Sequence, residues 1–212
     1  MSEQYSFSYD EAKKYLYSIA HRIENLIEER EKENTPISKE IIAHLRRSRK
    51  NNNNEHYILH SLNKLRLIED EKYSILSNNY FFNILKMIIP IHSDLGAYCL
   101  KFEIDENAEN SNFKAESKNF GYSLGKLLAQ EEIGTVENVE KKFLKLLSTP
   151  LSQIENQLYS VISSLLSTFG KLYIDWPLLY VDLYLWEYDE KIQYKWSKSF
   201  YKYVAKDEKN KK

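Results

Sequence analysis

Tyr9-Asp10-Glu11-Ala12-Lys13-Lys14-Tyr15-Leu16-Tyr17-Ser18-Ile19-Ala20-His21-Arg22-Ile23-Glu24-Asn25-Leu26-Ile27-Glu28-Glu29-Arg30-Glu31-Lys32-Glu33 carries apolar residues at Leu16, Ile19, Ala20, Ile23, Leu26 and Ile27 and charge elsewhere. Gaps of three and four residues put these side chains on one stripe of a helix, so an amphipathic helix is predicted from about Tyr9 to Glu33. The same period returns in His56 to Ile68, Tyr80 to Ile89, Lys118 to Glu132, Val136 to Leu147, Ser152 to Phe169, Asp175 to Tyr188 and Glu190 to Ala205. With only five Gly and four Pro in 212 residues, the chain lacks the turn signals that an all-β fold needs every dozen residues or so. The predicted fold is all-α, arranged as two packed helical bundles, and 42% hydrophobic residues suffice for a core.

Punctuation divides the helices. Thr35-Pro36 ends the first, and Ser38 is the predicted N-cap of a second that begins with Ile41 and Ile42. Asn51 to Asn54 reads as a loop, because Asn side chains compete for backbone hydrogen bonds. Asp105 to Ser111 is polar, acidic and poor in packing residues, which predicts a boundary: an N-terminal helical subdomain over 1–110, a C-terminal bundle over 111–206, and a frayed, disordered tail over 207–212. Asp175 before Trp176-Pro177 reads as an N-cap with proline in the first turn.

Composition excludes several classes. The single Cys99 cannot close an internal disulfide. Met1 to Asp10 has no apolar leader core, and no run approaches the ~18 apolar residues of a membrane span, so a cytoplasmic protein with no membrane contact is expected. A net charge of −1 and a pI of about 6.5 give the molecule no overall field to draw it onto nucleic acid. Any such contact must be local. Residues 41 to 66 hold Arg46, Arg47, Arg49, Lys50, Lys64 and Arg66 against Glu55 alone.

Catalytic and metal signals are weak. Gly121-Tyr122-Ser123-Leu124-Gly125 matches a nucleophile elbow with Ser123 as attacking residue, but no strand-like run precedes it and the last His in the chain is His92. Two glycines four apart equally permit close helix packing. His56 and His60 stand four apart and could face one metal, with His44 or His92 as a third ligand; paired surface histidines are the commoner explanation. Asp175, Asp182 and Asp189 recur every seven residues, the first explained by capping and the others by solubility. Tyr180, Tyr184 and Tyr188 stand at the spacing of core or interface packing rather than of base stacking, and Trp176, Trp186 and Phe143 at core spacing. No enzyme activity, metal or cofactor is expected.

The basic clusters stand out. Arg46, Arg49 and Lys50 fall at i, i+3 and i+4 with Arg47 beside them, opposite Ile41, Ile42 and Leu45. Lys141, Lys142 and Lys145 lie opposite Val136, Val139, Phe143, Leu146 and Leu147. Like charges this close repel by a few tenths of a kcal/mol per pair unless an anion such as a phosphate backbone is present. The plainer explanation is a solvated face.

The C-terminal half also resembles a known family. Gly121-Tyr122-Ser123-Leu124-Gly125-Lys126, the segment Val139-Glu140-Lys141-Lys142-Phe143-Leu144-Lys145-Leu146-Leu147, and Ile174-Asp175-Trp176-Pro177-Leu178-Leu179 are similar to motifs of the CasB-type small subunit of type I-E CRISPR Cascade. Trp186, Trp196 and Phe200-Tyr201 fit the same pattern, and Ala43-His44-Leu45-Arg46-Arg47 is similar to its short upstream motif. Residues 51–75 are longer than the family pattern and read as an insertion. The resemblance implies a non-catalytic subunit that binds crRNA and target DNA through the sugar-phosphate backbone and stabilises the R-loop. Its implied neighbours are the Cascade backbone and large subunits and a second copy of itself. The implied contacts are Arg46, Arg47, Lys126, Lys141, Lys142 and Lys145; Arg49 and Lys50 join them from the charge pattern. Where relatives carry further arginines after the lysine helix, this chain has Ser148-Thr149-Pro150, Tyr159 and Ser160. A helical protein-binding scaffold without nucleic-acid contact is the alternative.

Overall fold

The computed structural model describes residues 8–32, 35–49, 55–68, 76–100, 118–129 and 133–210. Lys50, the Asn51 to Asn54 loop, part of the 51–75 segment and the Asp105 to Ser111 boundary lie outside them. The described chain is all-α with packed helices, in two compact units, Met1–Ala97 and Tyr98–Lys212.

The first unit holds α1 (Tyr9–Lys32), α2 (Pro36–Ser48), α3 (Glu55–Lys64) and α4 (Asn79–Leu95). The stripe read from the sequence is its core: Leu16, Ile19, Ala20 and Ile23 of α1 are fully buried, facing α2 and α4. Ile41, Ile42 and Leu45 of α2, Ile58 and Leu62 of α3, and Leu85, Ile88 and Ile89 of α4 complete it. The α2 cap differs from expectation. Thr35 is the N-cap, its hydroxyl accepting from the Ser38 amide at 3.3 Å, and Pro36 occupies the first turn, where its missing N–H costs nothing. Ser38 is buried one turn inside. Helix α4 also continues past Ile89 through Pro90 to Leu95, because Ile91, His92 and Leu95 are themselves buried and packing outweighs the lost hydrogen bond.

The second unit holds α5 (Phe120–Leu128), α6 (Ile133–Leu147), α7 (Leu151–Phe169), α8 (Trp176–Tyr184) and α9 (Lys191–Asn210). A two-residue parallel pair, β1 (Cys99–Leu100) with β2 (Leu172–Tyr173), aligns Cys99 with Leu172. Nothing in the residue pattern announced these strands, since two residues carry no period. Gly170, at φ 72°, ends α7 with its amide on the Leu166 carbonyl. Asp175 caps α8 as expected, accepting from the Leu178 amide at 3.0 Å.

Helices α5 and α9 meet backbone to backbone. A Cβ on Gly121 would lie 2.8 Å from the Trp196 Cα, and one on Gly125 would lie 2.6 Å from the Phe200 carbonyl oxygen. Asn119 locks the approach: it caps α5 through the Tyr122 amide at 3.0 Å and donates across to Ser199 Oγ at 3.1 Å. Trp196 packs on Phe120 and Trp186, and Phe200 on Phe143. Trp176, Trp186 and Phe143 are all buried, as their spacing predicted.

Tyr188 is 69% exposed, and so outside the core, because α8 ends at Tyr184 and the four-residue repeat stops with it. One expectation fails. Asp182, expected on a solvated face, is buried with its carboxylate 2.6 Å from the Trp196 indole N–H, which a buried tryptophan needs to satisfy.

Overpacking of the glycine contact is expected to destabilise Gly121→Ala by ~3 kcal/mol, and Gly125→Ala by less, in urea melts. Equal, near-zero losses would mean the helices are not in backbone contact.

Burial pushes Asp182 up from its usual 3.8 to about 6, partly offset by the indole hydrogen bond. A carboxyl raised on folding stabilises the native state fully below its unfolded value and loses that contribution as pH rises through its folded value. The wild type is therefore expected to gain on the order of 1–3 kcal/mol relative to Asp182→Asn, which retains an acceptor for Trp196, as pH falls from about 7 to about 4. A difference in unfolding free energy that is flat with pH would place this carboxyl in water.

Candidate nucleic-acid interface

The cations singled out in the sequence divide between the two units. Arg46, Arg47 and Arg49 belong to the first, and Lys126, Lys141, Lys142 and Lys145 to the second.

Arg46 is turned inward along the end of α4. Its Nε donates to the Ser93 carbonyl at 2.9 Å, its Nη2 to the Asp94 carbonyl at 3.4 Å, and its Nε lies 3.5 Å from the Asp94 carboxylate. The guanidinium thus satisfies carbonyls in the last turn of α4 and neutralises the negative end of its dipole. Arg47 is exposed. Arg49 is half-buried just past the end of α2, with its amide on the Arg46 carbonyl. Three arginines within four residues therefore sit in three environments, a distinction that helical spacing alone could not make.

On α6 the expected geometry is present. Val139, Phe143 and Leu146 are buried, and Lys141, Lys142 and Lys145 are exposed on the other side. Lys142 donates to the Ser164 hydroxyl of α7. Among the described residues none of these lysines forms an ion pair. The half-buried Glu140 on the same helix accepts instead from the Tyr201 hydroxyl of α9, which burial and that carboxylate push up to about 12. The α6 lysines therefore present positive charge that the described carboxylates do not quench.

Lys126 is exposed on α5, with its amine 6.0 Å from the Tyr122 ring and 5.9 Å from the Tyr173 ring. Aromatic faces at this distance attract and position an ammonium group. Tyr122 is legible as an i, i+4 neighbour of Lys126. Tyr173 is missed by sequence reasoning because it arrives from β2, far along the chain.

The residues considered for other chemistry are accounted for. Ser123 lies buried inside α5, its Oγ 3.4 Å from the Asn119 carbonyl, and not on an exposed strand-to-helix turn. Burial pushes the Cys99 thiol up to about 12, away from the thiolate that a nucleophile or metal ligand needs. Of the paired histidines, His56 packs on Tyr57, while His60 faces His44. No described helix is long and apolar enough to cross a membrane.

Neither a curated protein nor a solved structure matches the chain. The model of one protein family does, over residues 41–201, which run from within α2 to the middle of α9 and include every candidate cation. With three quarters of its length matched, helices throughout and the motif residues in the core and on the lysine face, the chain belongs to the family of CRISPR-associated protein Cse2, the small subunit of type I-E Cascade.

Proposed function

We propose that this Cascade subunit is a non-catalytic clamp on the sugar-phosphate backbone of crRNA and target DNA, stabilising the R-loop beside the backbone and large subunits and a second copy of itself. The observation that carries the reading is the α6 face, where Lys141, Lys142 and Lys145 stand exposed with no ion pair among the described residues. Backbone contacts of this kind hold a strand in register and leave sequence reading to base pairing. Lys126 between Tyr122 and Tyr173 offers a second point of contact, with an ammonium positioned by two ring faces. Arg47 on α2 and Arg49 just past its end remain contacts, whereas Arg46 acts through the stability of α4. A near-neutral subunit is compatible with this role, since affinity pools over an assembly.

Replacing Lys141, Lys142 and Lys145 by Glu in assembled Cascade is expected to weaken target binding for all target sequences alike. Each lost phosphate contact should lower the slope of log K against log salt by about 0.7 on single strand or about 0.9 on duplex. Circular dichroism of the subunit should not change. Normal assembly with unaltered affinity and slope would return the lysine face to simple solvation and favour the protein-binding scaffold. Arg46→Ala is expected to behave differently, lowering subunit stability by about 1–3 kcal/mol in urea melts because it strips partners from the end of α4. A stable Arg46→Ala subunit that loses target affinity would reverse that assignment.

A further inference from the structure

The α2–α3 contact gathers three metal-ligating side chains. Glu40 and His44 lie one turn apart on α2, and His60 faces them from α3; one ligand atom from each lies within 4.8 Å of the other two. The His44 and His60 ring centroids are 5.4 Å apart. His44 Nδ1 is buried and has no hydrogen-bond partner among the described residues, an orphaned polar atom that needs a proton donor, an acceptor or a cation. Glu40 is held at 2.7 Å by the Lys64 ammonium, so a positive charge already occupies its side of the trio.

We infer that Glu40, His44 and His60 form a site for a divalent first-row transition ion of the zinc type. Two imidazoles and a carboxylate suit a borderline ion and leave its fourth position to water, whereas a hard cation such as magnesium would want oxygen ligands throughout. Ligand atoms around tetrahedral zinc stand about 3.3 Å apart, so the trio must close modestly. Glu40 and His60 are exposed and can rotate to do so. Lys64 is the built-in competitor: its ammonium must leave Glu40 when the ion arrives. The bound ion would staple α2 to α3, and the site is independent of any nucleic-acid role. The i, i+4 pair of His56 and His60 is not this site: His56 is not among the residues whose ligand atoms gather there, and its ring packs at a tilt against Tyr57 with centroids 4.1 Å apart.

Full-length protein stripped with chelator and titrated with zinc chloride alone is expected to take up about one zinc per chain and to unfold at a higher temperature when loaded. Magnesium chloride should do neither. His44→Ala and His60→Ala should each weaken zinc binding by at least about tenfold. Lys64→Ala should tighten it, and His56→Ala should leave it unchanged. If half-buried His44→Ala unfolds, the variants at exposed His60 and Lys64 decide. Zinc affinity unchanged in His60→Ala, uptake abolished by His56→Ala, or no uptake by the folded wild type would each overturn the site.

Discussion

The close passage of α5 against α9 is the constraint on which the rest of the second unit depends. Without side chains at Gly121 and Gly125, the α9 backbone at Trp196 and Phe200 comes within reach of the α5 backbone. That approach seats two large rings where each can serve several neighbours. Trp196 meets Phe120, Trp186 and Asp182, and Phe200 meets Phe143 of α6. Since Phe143 anchors the buried face of α6, the outward direction of its lysines follows from a packing event two helices away. A motif that looks like a nucleophile elbow is thus a packing device, and the buried Ser123 between its glycines serves the helix.

Polar groups in this core follow from the aromatic ones. Burying Trp186 and Trp196 obliges each indole N–H to find an acceptor; Trp186 uses the Thr149 carbonyl at 3.1 Å and Trp196 uses Asp182. The second choice places a carboxylate where burial disfavours its charge. The three acids spaced by seven therefore carry different tasks: Asp175 caps α8, Asp182 holds an indole, and Asp189 accepts from the Lys191 amide at 3.0 Å while pairing with Lys195.

Charge obeys the same logic. A nearly neutral chain can hold nucleic acid only through cations whose own carboxylates are engaged elsewhere or absent. On α6 Glu140 is taken up by Tyr201, while on α2 Arg46 is drawn into the end of α4. One helix thus keeps its positive charge outward, and the other spends part of it on structure. The histidines sort likewise: His60 turns toward His44 and Glu40 across the helix pair.

Helical class, most of the core and the outward face of α6 were legible in the sequence because each depends on a period of 3.6 residues within one helix, and burial respects that period. The Asp175 cap was legible for the same local reason. What the sequence could not decide were the features that depend on a partner distant along the chain. Thr35 and Ser38 compete for one cap, and local geometry selects between them; Pro90 is carried inside α4 because its neighbours are buried. Arg46 and Arg47 have the same chemistry and adjacent positions, yet only Arg46 reaches the carbonyls of Ser93 and Asp94. Asp182, Tyr173 and the Glu40–His44–His60 trio acquire their roles only when α9, β2 and α3 arrive beside them. Periodicity specifies which side of a helix is buried, but not which atoms of another element wait there; only the tertiary packing settles that.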